Sequence, residues 1–355
     1  MRYIKEFDFL RALSVFMVMI AHYFAQFKYL SFFALAGVTM FFVISGFLIT
    51  QILLYEKQKF RIQGVSEFKK ILSTLKVFYI RRTLRIFPLY YLVLFVLVIL
   101  NVESARPYWQ FHFFYLSNFL YSFYTGFDHL SHFWTLAVEE QFYLIWPWVI
   151  LIIPHRWVSI KFFSILVLGS LGFRFLMLTI YGISSEVPVF MMPSCIESFA
   201  LGAIALLASK TNITRRNVQK WVAGSFILFV ILLLTNYWIS AFNFRFVFAG
   251  THRIIFSIFS AALLLYVAKG YTGRIVLGIM NNKLLVQLGK ISYGIYVFHL
   301  LMPPFFDFIG ARYKINLLGN GKMFFLSAGS SIVLAYVSYK FFERPINNLK
   351  ERFVY

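Results

Sequence analysis

Charged residues are scarce in this sequence of 355 residues. Asp, Glu, Lys and Arg together make up 13% of it, whereas a soluble domain contains about 25%. Hydrophobic residues make up 61%, and the mean hydropathy is +0.76. So little charge argues against a soluble domain, and the composition predicts a polytopic helical membrane protein.

Cysteine is nearly absent, since Cys195 is the single one. One cysteine forbids an internal disulfide and a multi-cysteine metal cluster. A cleavable signal peptide is not evident either, because the first apolar segment is long enough to span a membrane and no small-residue cleavage site follows it. Repeats, low-complexity tracts and a second soluble domain are also not found. We therefore predict one integral-membrane domain over 1–355.

Acidic residues are also few, with 13 Asp and Glu against 34 Lys and Arg, which gives a net charge of +21. Such an excess could indicate nucleic-acid binding. In a membrane protein it is better explained by basic inner loops that face anionic lipid. The expected contacts are therefore membrane lipids, and no nucleic-acid partner is expected.

Ten segments are long and apolar enough to cross a bilayer, given that a span needs roughly 20 mostly apolar residues. They lie at 8–27, 32–54, 79–101, 134–153, 158–181, 189–208, 219–239, 246–268, 283–306 and 322–342. These segments predict an all-α polytopic fold with about ten transmembrane helices. The region 105–130, rich in Tyr and Phe, is a candidate interfacial helix.

Lys and Arg predict the orientation of these helices. The N-terminus, alternate loops and the C-terminal tail together hold 24 basic residues, whereas the opposite loops hold six. Because basic loops stay on the inner side of a membrane, both termini are predicted to be cytoplasmic.

The first span, "FDFLRALSVFMVMIAHYF", carries two ionisable residues, Arg11 and His22, on one face. They are eleven residues apart, which is three helical turns plus about 20°, and about 16 Å along the axis. A charge at membrane depth is costly and indicates a functional site by default. His22 could act as a general base, and Arg11 would lie near the cytoplasmic edge. Packing contacts for His22 and snorkelling of Arg11 are the structural alternatives.

The third span begins with "FYIRRTLRIFPLYY", in which Arg82 and Arg85 are three residues apart and share a helix face. Paired guanidinium groups suit phosphate, because each offers a planar fork of donors. Simple anchoring of the basic end on the inner side is the alternative.

The fourth span begins with "HFWTLAVEEQFYLIWPW". Glu139 and Glu140 are adjacent and point about 100° apart, so they cannot form a facing acid pair. At least one must enter the membrane, where it is paired or protonated. The sequence leaves open whether it serves catalysis or an inter-helix bond to Arg174 or Arg253.

Three further motifs are weaker. Ser45 and Gly46 in "FFVISGFLIT" favour close helix packing over a catalytic serine. His129 and His132 in "DHLSH" have metal-ligand spacing, but no further ligand set is evident and no metal is expected. His299 lies deep in the ninth span and is a candidate site-lining residue.

Six motifs in order resemble the membrane acyltransferase 3 family, the inner-membrane O-acyltransferases that modify sugars. They are "FDFLRALSVFMVMIAHY", "FFVISGFLI", "RRTLRIFPLYY", "FWTLAVEEQFYLIWP", "LGKISYGIYVFHL" and "SYKFFERP". Arg11 and His22 match the family's pattern of an Arg and a His with ten residues between them, and Arg82 and Arg85 match its Arg-x-x-Arg. In "MMPSCIESFALGAIALLA" the sequence departs from the family, since Glu197 replaces an Asp and no basic residue precedes it nearby.

The resemblance implies helices around a central cavity in a bacterial inner membrane. It also implies a cytoplasmic acyl-CoA donor, acetyl-CoA above all, and a carbohydrate or lipid-linked glycan acceptor, with no permanently bound cofactor. The hydrolase-like domain that some members append is not expected. On this basis the catalytic candidates are His22, Arg11, Glu139 and Glu140, and the donor-binding candidates are Arg82 and Arg85.

Several alternatives stay open from the sequence. His22 could take the proton of a sugar hydroxyl, or could itself be acylated in passing. A transporter or flippase of a lipid-linked sugar or small solute would use the same charged cavity without covalent change. A structural or sensory protein would need these charges only for packing. The acceptor, the acyl group and the oligomeric state are not readable from the sequence.

Overall fold

A computed structural model of the chain describes residues 3–24, 30–60, 67–102, 104–124, 126, 128–238, 242–313 and 320–353. Helices account for 86% of the structure, and the described residues contain no strand, so the predicted all-α class is confirmed. The helices are α1 (Lys5–Tyr23), α2 (Ser31–Lys59), α3 (Glu67–Ile99), α4 (Trp109–Phe113), α5 (Ser117–Phe123), α6 (Phe133–Ile152), α7 (Ile160–Tyr181), α8 (Val187–Phe190), α9 (Met192–Ser209), α10 (Arg215–Trp238), α11 (Phe242–Ala268), α12 (Arg274–Met280), α13 (Lys283–Lys290), α14 (Ser292–Phe298), α15 (Met302–Tyr313), α16 (Asn320–Ser338) and α17 (Arg344–Asn348).

Nine helical stretches within the described ranges are long and apolar enough to cross a membrane, which identifies an integral membrane protein. Each of the ten predicted segments overlaps helix in the described residues, but α1 is not one of the nine. Four charged residues in its first half, Lys5, Glu6, Asp8 and Arg11, explain this difference. The apolar side chains of α1, such as Phe7, Leu10 and Val15, are buried inside the protein.

The ninth predicted segment, 283–306, differs most from the structure. It is divided into α13, α14 and the start of α15, and the stretch suited to spanning is Ser292–Tyr313. Helix α13 packs against α1 instead, at a point where Gly289 meets the backbone of Asp8. Close backbone approach of this kind needs a residue without a Cβ atom.

Helix α2 is the centre of the bundle and packs against α1, α6, α9 and α11. Its Gly46 faces the backbone of Phe199 in α9, and Gly202 of α9 faces the backbone of Val43 in return. Small residues allow membrane helices to approach closely, since lipid offers no hydrophobic drive between them. The packing interpretation of the Ser45-Gly46 motif is therefore confirmed.

A buried polar cluster joins α7, α9 and α11. Arg174 donates to Glu197 at 2.5 Å and to the carbonyl of Gly250 at 3.0 Å, while Arg253 donates to the sulfur of Cys195 at 3.0 Å. Both guanidinium groups are 1% exposed. The predicted alternative that Arg174 or Arg253 bonds Glu139 or Glu140 is therefore wrong, because the described partner of Arg174 is Glu197.

The region 105–130 forms the two short helices α4 and α5 rather than one. Its buried His112 bonds Ser117 through Nδ1 at 2.9 Å, and burial lowers the pKa of His112 to about 4. Asp128 accepts from the hydroxyl of Tyr121 at 2.7 Å and from the backbone of Leu130 at 2.8 Å. These bonds hold the segment together, and Tyr90 of α3 attaches it to the bundle by donating to the carbonyl of His112 at 2.7 Å.

Candidate active site

A cavity of about 350 Å³ lies between α1, α2, α3, α6 and α14. Residues four apart on a helix lie on the same face, so a single helix can contribute several side chains to the cavity wall. Thr135, Glu139 and Tyr143 follow one another at intervals of four residues in α6 and cover about 12 Å of the cavity wall. Arg11 comes one turn after Phe7 in α1, and both face the same space.

One end of the cavity is basic. Arg11, Arg82 and Arg85 line it, and the Arg82 guanidinium lies over the rings of Phe78 and Tyr143 at 5.6 and 5.3 Å. Arg11 donates to Asp8 at 2.6 Å. Because Asp8 is itself 3% exposed, this pair fixes the guanidinium of Arg11 at the cavity wall.

The carboxylate on this wall belongs to Glu139. It accepts a hydrogen bond from Ser45 at 2.6 Å and another from Tyr143, and both donors also line the cavity. Glu140 does not appear in the described lining, and its buried Oε1 has no hydrogen-bond partner among the described residues. The structure therefore places Glu139 and Glu140 in different environments, as their angular separation requires.

Tyr296 lines the cavity and also contacts a cluster of three histidines outside the described lining. His22 and His299 are joined from Nδ1 to Nε2 at 2.9 Å, and their rings are stacked with centroids 5.1 Å apart. The ring of His132 meets that of His299 edge-on at 4.9 Å. Tyr296 contacts His132 and His299 and accepts a hydrogen bond from Thr135 at 2.7 Å.

Four predicted site residues thus line one cavity: Arg11, Arg82, Arg85 and Glu139. His22 lies in the adjoining cluster rather than in the described lining, and Glu140 lies outside both.

Sequence reasoning missed Ser45, Thr135, Tyr143 and Tyr296 as parts of the wall. The four-residue spacing from Thr135 through Glu139 to Tyr143 was a signal for two of them. Nothing in the sequence indicated that Tyr296 would meet Thr135, because 161 positions separate them.

The fold and the site define a polytopic membrane protein with a cavity lined by three arginines, and a histidine cluster adjoins this cavity at Tyr296. The chain belongs to the acyltransferase 3 family, since the family model described as an acyltransferase domain matches residues 4–340.

Curated relatives include the O-acetyltransferase OatA of Staphylococcus aureus in the strains NCTC 8325 / PS 47, COL and MRSA252. Each is 28% identical to this chain over 367 residues, which is 97% of this chain and 57% of the relative. The chain thus spans just over half the length of these relatives. No solved structure matches it.

Proposed function

We propose that this protein transfers an acyl group, above all acetyl, from cytoplasmic acyl-CoA to a hydroxyl of a cell-envelope or exported carbohydrate. The observation that carries the proposal is the cavity, in which a basic end with three guanidinium groups leads to a histidine cluster. Family membership and the names of the S. aureus relatives support acyl transfer and O-acetylation.

Arg82 and Arg85 would bind the phosphates of the donor. Guanidinium groups bind phosphate through paired charge-assisted hydrogen bonds, and both residues stand where the cavity is basic. A volume of about 350 Å³ is at the lower end for ligand pockets, which span roughly 300–1,000 Å³. It suits the narrow pantetheine arm and its thioester, with the nucleotide outside the mouth.

His22 would act as the general base at the far end. The acceptor hydroxyl gives its proton to His22 while its oxygen bonds to the thioester carbonyl carbon. The tetrahedral intermediate then collapses, the carbon–sulfur bond breaks, and the departing thiolate takes the proton back from His22. A positioned base contributes about 10²–10⁴-fold to such a rate.

Arg11 and Glu139 would have supporting roles. Arg11, held by Asp8, would place a positive charge beside the donor inside the cavity. Glu139 holds Ser45 and Tyr143 on the cavity wall, and the Arg82 guanidinium lies over the ring of the same Tyr143. Both residues thus order the cavity through which the donor would reach His22.

In the membrane we propose about ten spanning helices, with α1 as the tenth, and both termini in the cytoplasm. The membrane would be the bacterial inner membrane. The basic end of the cavity would then face the cytoplasmic acyl-CoA, and the histidine cluster would face a carbohydrate or lipid-linked glycan from the outer side.

The test is mass spectrometry of envelope glycans from cells that carry wild-type protein, His22→Ala, His155→Ala or no gene. His155 is an exposed loop histidine and serves as the matched control. Membrane levels of each variant are compared by immunoblot.

We expect one added acetyl group per modified sugar with the wild type and His155→Ala, and none with His22→Ala. Purified protein should then move labelled acetyl from acetyl-CoA to that glycan. Transport of a glycan without any covalent change would refute the proposal in favour of a flippase. Equal acetylation by wild type and His22→Ala would refute the role of His22.

A further inference from the structure

The hydrogen bonds around His299 determine where its proton lies. Its Nδ1 is 2.6 Å from the carbonyl oxygen of Tyr296, which can only accept. Nδ1 of His299 must therefore carry a proton and donate it. In a neutral imidazole the other nitrogen, Nε2, is then an acceptor.

The same reasoning extends to His22. Nε2 of His299 lies 2.9 Å from Nδ1 of His22, so an accepting Nε2 requires that His22 donate from Nδ1. A neutral His22 then has no proton on its own Nε2. The described residues offer that atom no hydrogen-bond partner, and the side chain of His22 is partly exposed, whereas His299 is fully buried.

The surroundings of the pair favour neutral rings. His132 packs against His299, and its Nε2 lies 3.2 Å from the carbonyl oxygen of Val297. Tyr23 donates to the carbonyl of His299 at 2.8 Å and lies 3.3 Å from the hydroxyl of Ser331. Asp128 acts on His132 from a distance, and no described carboxylate bonds either ring of the pair. A protonated His299 would have no counter-ion and would be costly to bury.

We propose that His299 is a positioning residue that holds the proton of His22 on Nδ1, so that Nε2 of His22 accepts the proton of the acceptor hydroxyl. The catalytic purpose of this arrangement rests on the proposed acyl transfer. The tautomer of His22, with its proton on Nδ1, is present without substrate. A hydrogen bond at one imidazole nitrogen sets the protonation of the other, and acceptance by His299 also stabilises the imidazolium that forms on His22.

Two substitutions of His299 separate this role from simple packing. His299→Leu keeps the bulk and removes both nitrogens, whereas His299→Gln keeps an amide oxygen that can accept from His22 and an N–H that can donate to Tyr296. The control is His252→Leu, because His252 is also bonded to a backbone carbonyl, that of Phe248 at 2.8 Å, but lies in α11.

We expect His299→Leu to lower kcat by about 10- to 100-fold with the KM for acetyl-CoA unchanged, as when an outer partner of a functional histidine is lost. His299→Gln should recover most of that loss, and His252→Leu should leave kcat unchanged. A kcat for His299→Leu equal to that of the wild type, or a Gln variant as poor as the Leu variant, would overturn the role.

The second readout is the ¹⁵N NMR spectrum of histidine-labelled protein in bilayers, recorded without substrate and with His22 assigned by its loss in His22→Gln. The wild type should show His22 protonated on Nδ1, and His299→Leu should shift protonation towards Nε2. Protonation of His22 on Nε2 in the wild type would overturn the inference. If the protein transfers no acyl group between any donor and acceptor, the proposed function fails. The NMR spectrum still shows which nitrogen of His22 carries the proton.

Discussion

Three arginines in the middle of α3 have different roles. Arg82 and Arg85 line the cavity, whereas Arg81 donates to the carbonyl of Phe353 at 2.8 Å and to that of Lys350 at 3.4 Å. Arg81 thus anchors the C-terminal segment on α3. The neighbouring positions differ because successive side chains on a helix point about 100° apart.

We predict that Arg85→Ala raises the KM for acetyl-CoA far more than Arg81→Ala does. A hydrogen bond to a charged group contributes about 1.5–3 kcal/mol, which is roughly 10- to 100-fold in KM. The measurement is steady-state kinetics of the two purified variants against the wild type. The donor role of Arg85 is refuted if both variants give the same KM, or if only Arg81→Ala raises it.

The sequence predicted which residues share a site only where those residues lie on the same helix. Arg82 and Arg85 lie on one face because they are three residues apart, and the structure places both on the same cavity. The bond between His22 and His299 joins positions 277 apart, and the bond between Arg174 and Glu197 joins two different helices. Periodicity within one helix does not indicate which neighbouring helix a polar side chain meets.

Helix packing within the bundle depends on glycine at the crossing of α2 and α9. A Cβ atom on Gly46 would collide with the backbone of Phe199, and neither backbone can yield without moving its helix. Gly172 in α7 is the natural control, since a Cβ atom there would meet nothing within 4 Å.

We predict that Gly46→Ala lowers the thermal stability of the detergent-solubilised protein, while Gly172→Ala does not. Overpacking of a tight core costs about 1–3 kcal/mol, whereas alanine in an open helix position is favoured over glycine. Thermal unfolding followed by tryptophan fluorescence measures both variants. Equal melting temperatures for Gly46→Ala and the wild type would contradict the close approach of α2 and α9.

Each of the ten segments predicted from hydropathy overlaps helix in the described residues, but the predicted bounds of the ninth span are wrong. The segment 283–306 is apolar throughout, yet α13 packs on α1 and the stretch suited to spanning begins at Ser292. The break follows from tertiary contact at Gly289 and from the bond between His299 and Tyr296. A window of mean hydropathy averages over such contacts and therefore joins helices that the fold separates.

For the molecule as a whole, the cluster of Arg174, Glu197 and Arg253 ties α7, α9 and α11 together. All three side chains are at most 1% exposed, so the Glu197 carboxylate is the described counter-charge for two buried guanidinium groups. A more exposed pair, Lys59 with Glu56 at 2.9 Å, provides the contrast, because the Lys59 side chain is 40% exposed although that of Glu56 is only 7% exposed.

We predict that Glu197→Ala destabilises the protein by about 3–5 kcal/mol, since it removes the described counter-charge of two buried guanidinium groups. Lys59→Ala should cost at most about 1 kcal/mol, as is usual for surface ion pairs. Thermal unfolding in detergent and the yield of monodisperse protein measure both. If Glu197→Ala is no less stable than Lys59→Ala, the cluster does not hold the three helices together.

The orientation of the whole molecule decides whether the cavity can receive a cytoplasmic donor. In the proposed topology the excess of basic residues lies on the side from which α3 starts, and Arg82 and Arg85 line the cavity from α3. Native Cys195 is buried, so a cysteine introduced at an exposed position gives a clean labelling signal. Lys210 follows α9 and Arg106 follows α3, and the proposed topology puts these two exposed residues on opposite sides of the membrane.

We predict that a membrane-impermeant maleimide labels Arg106→Cys in intact spheroplasts and labels Lys210→Cys only after the membrane is permeabilised. Basic loops are retained on the cytoplasmic side, which places Lys210 inside and Arg106 outside. The reverse pattern would direct the basic end of the cavity outwards, away from any cytoplasmic acyl-CoA. It would thereby exclude the proposed donor route even if His22 and His299 form the base as inferred.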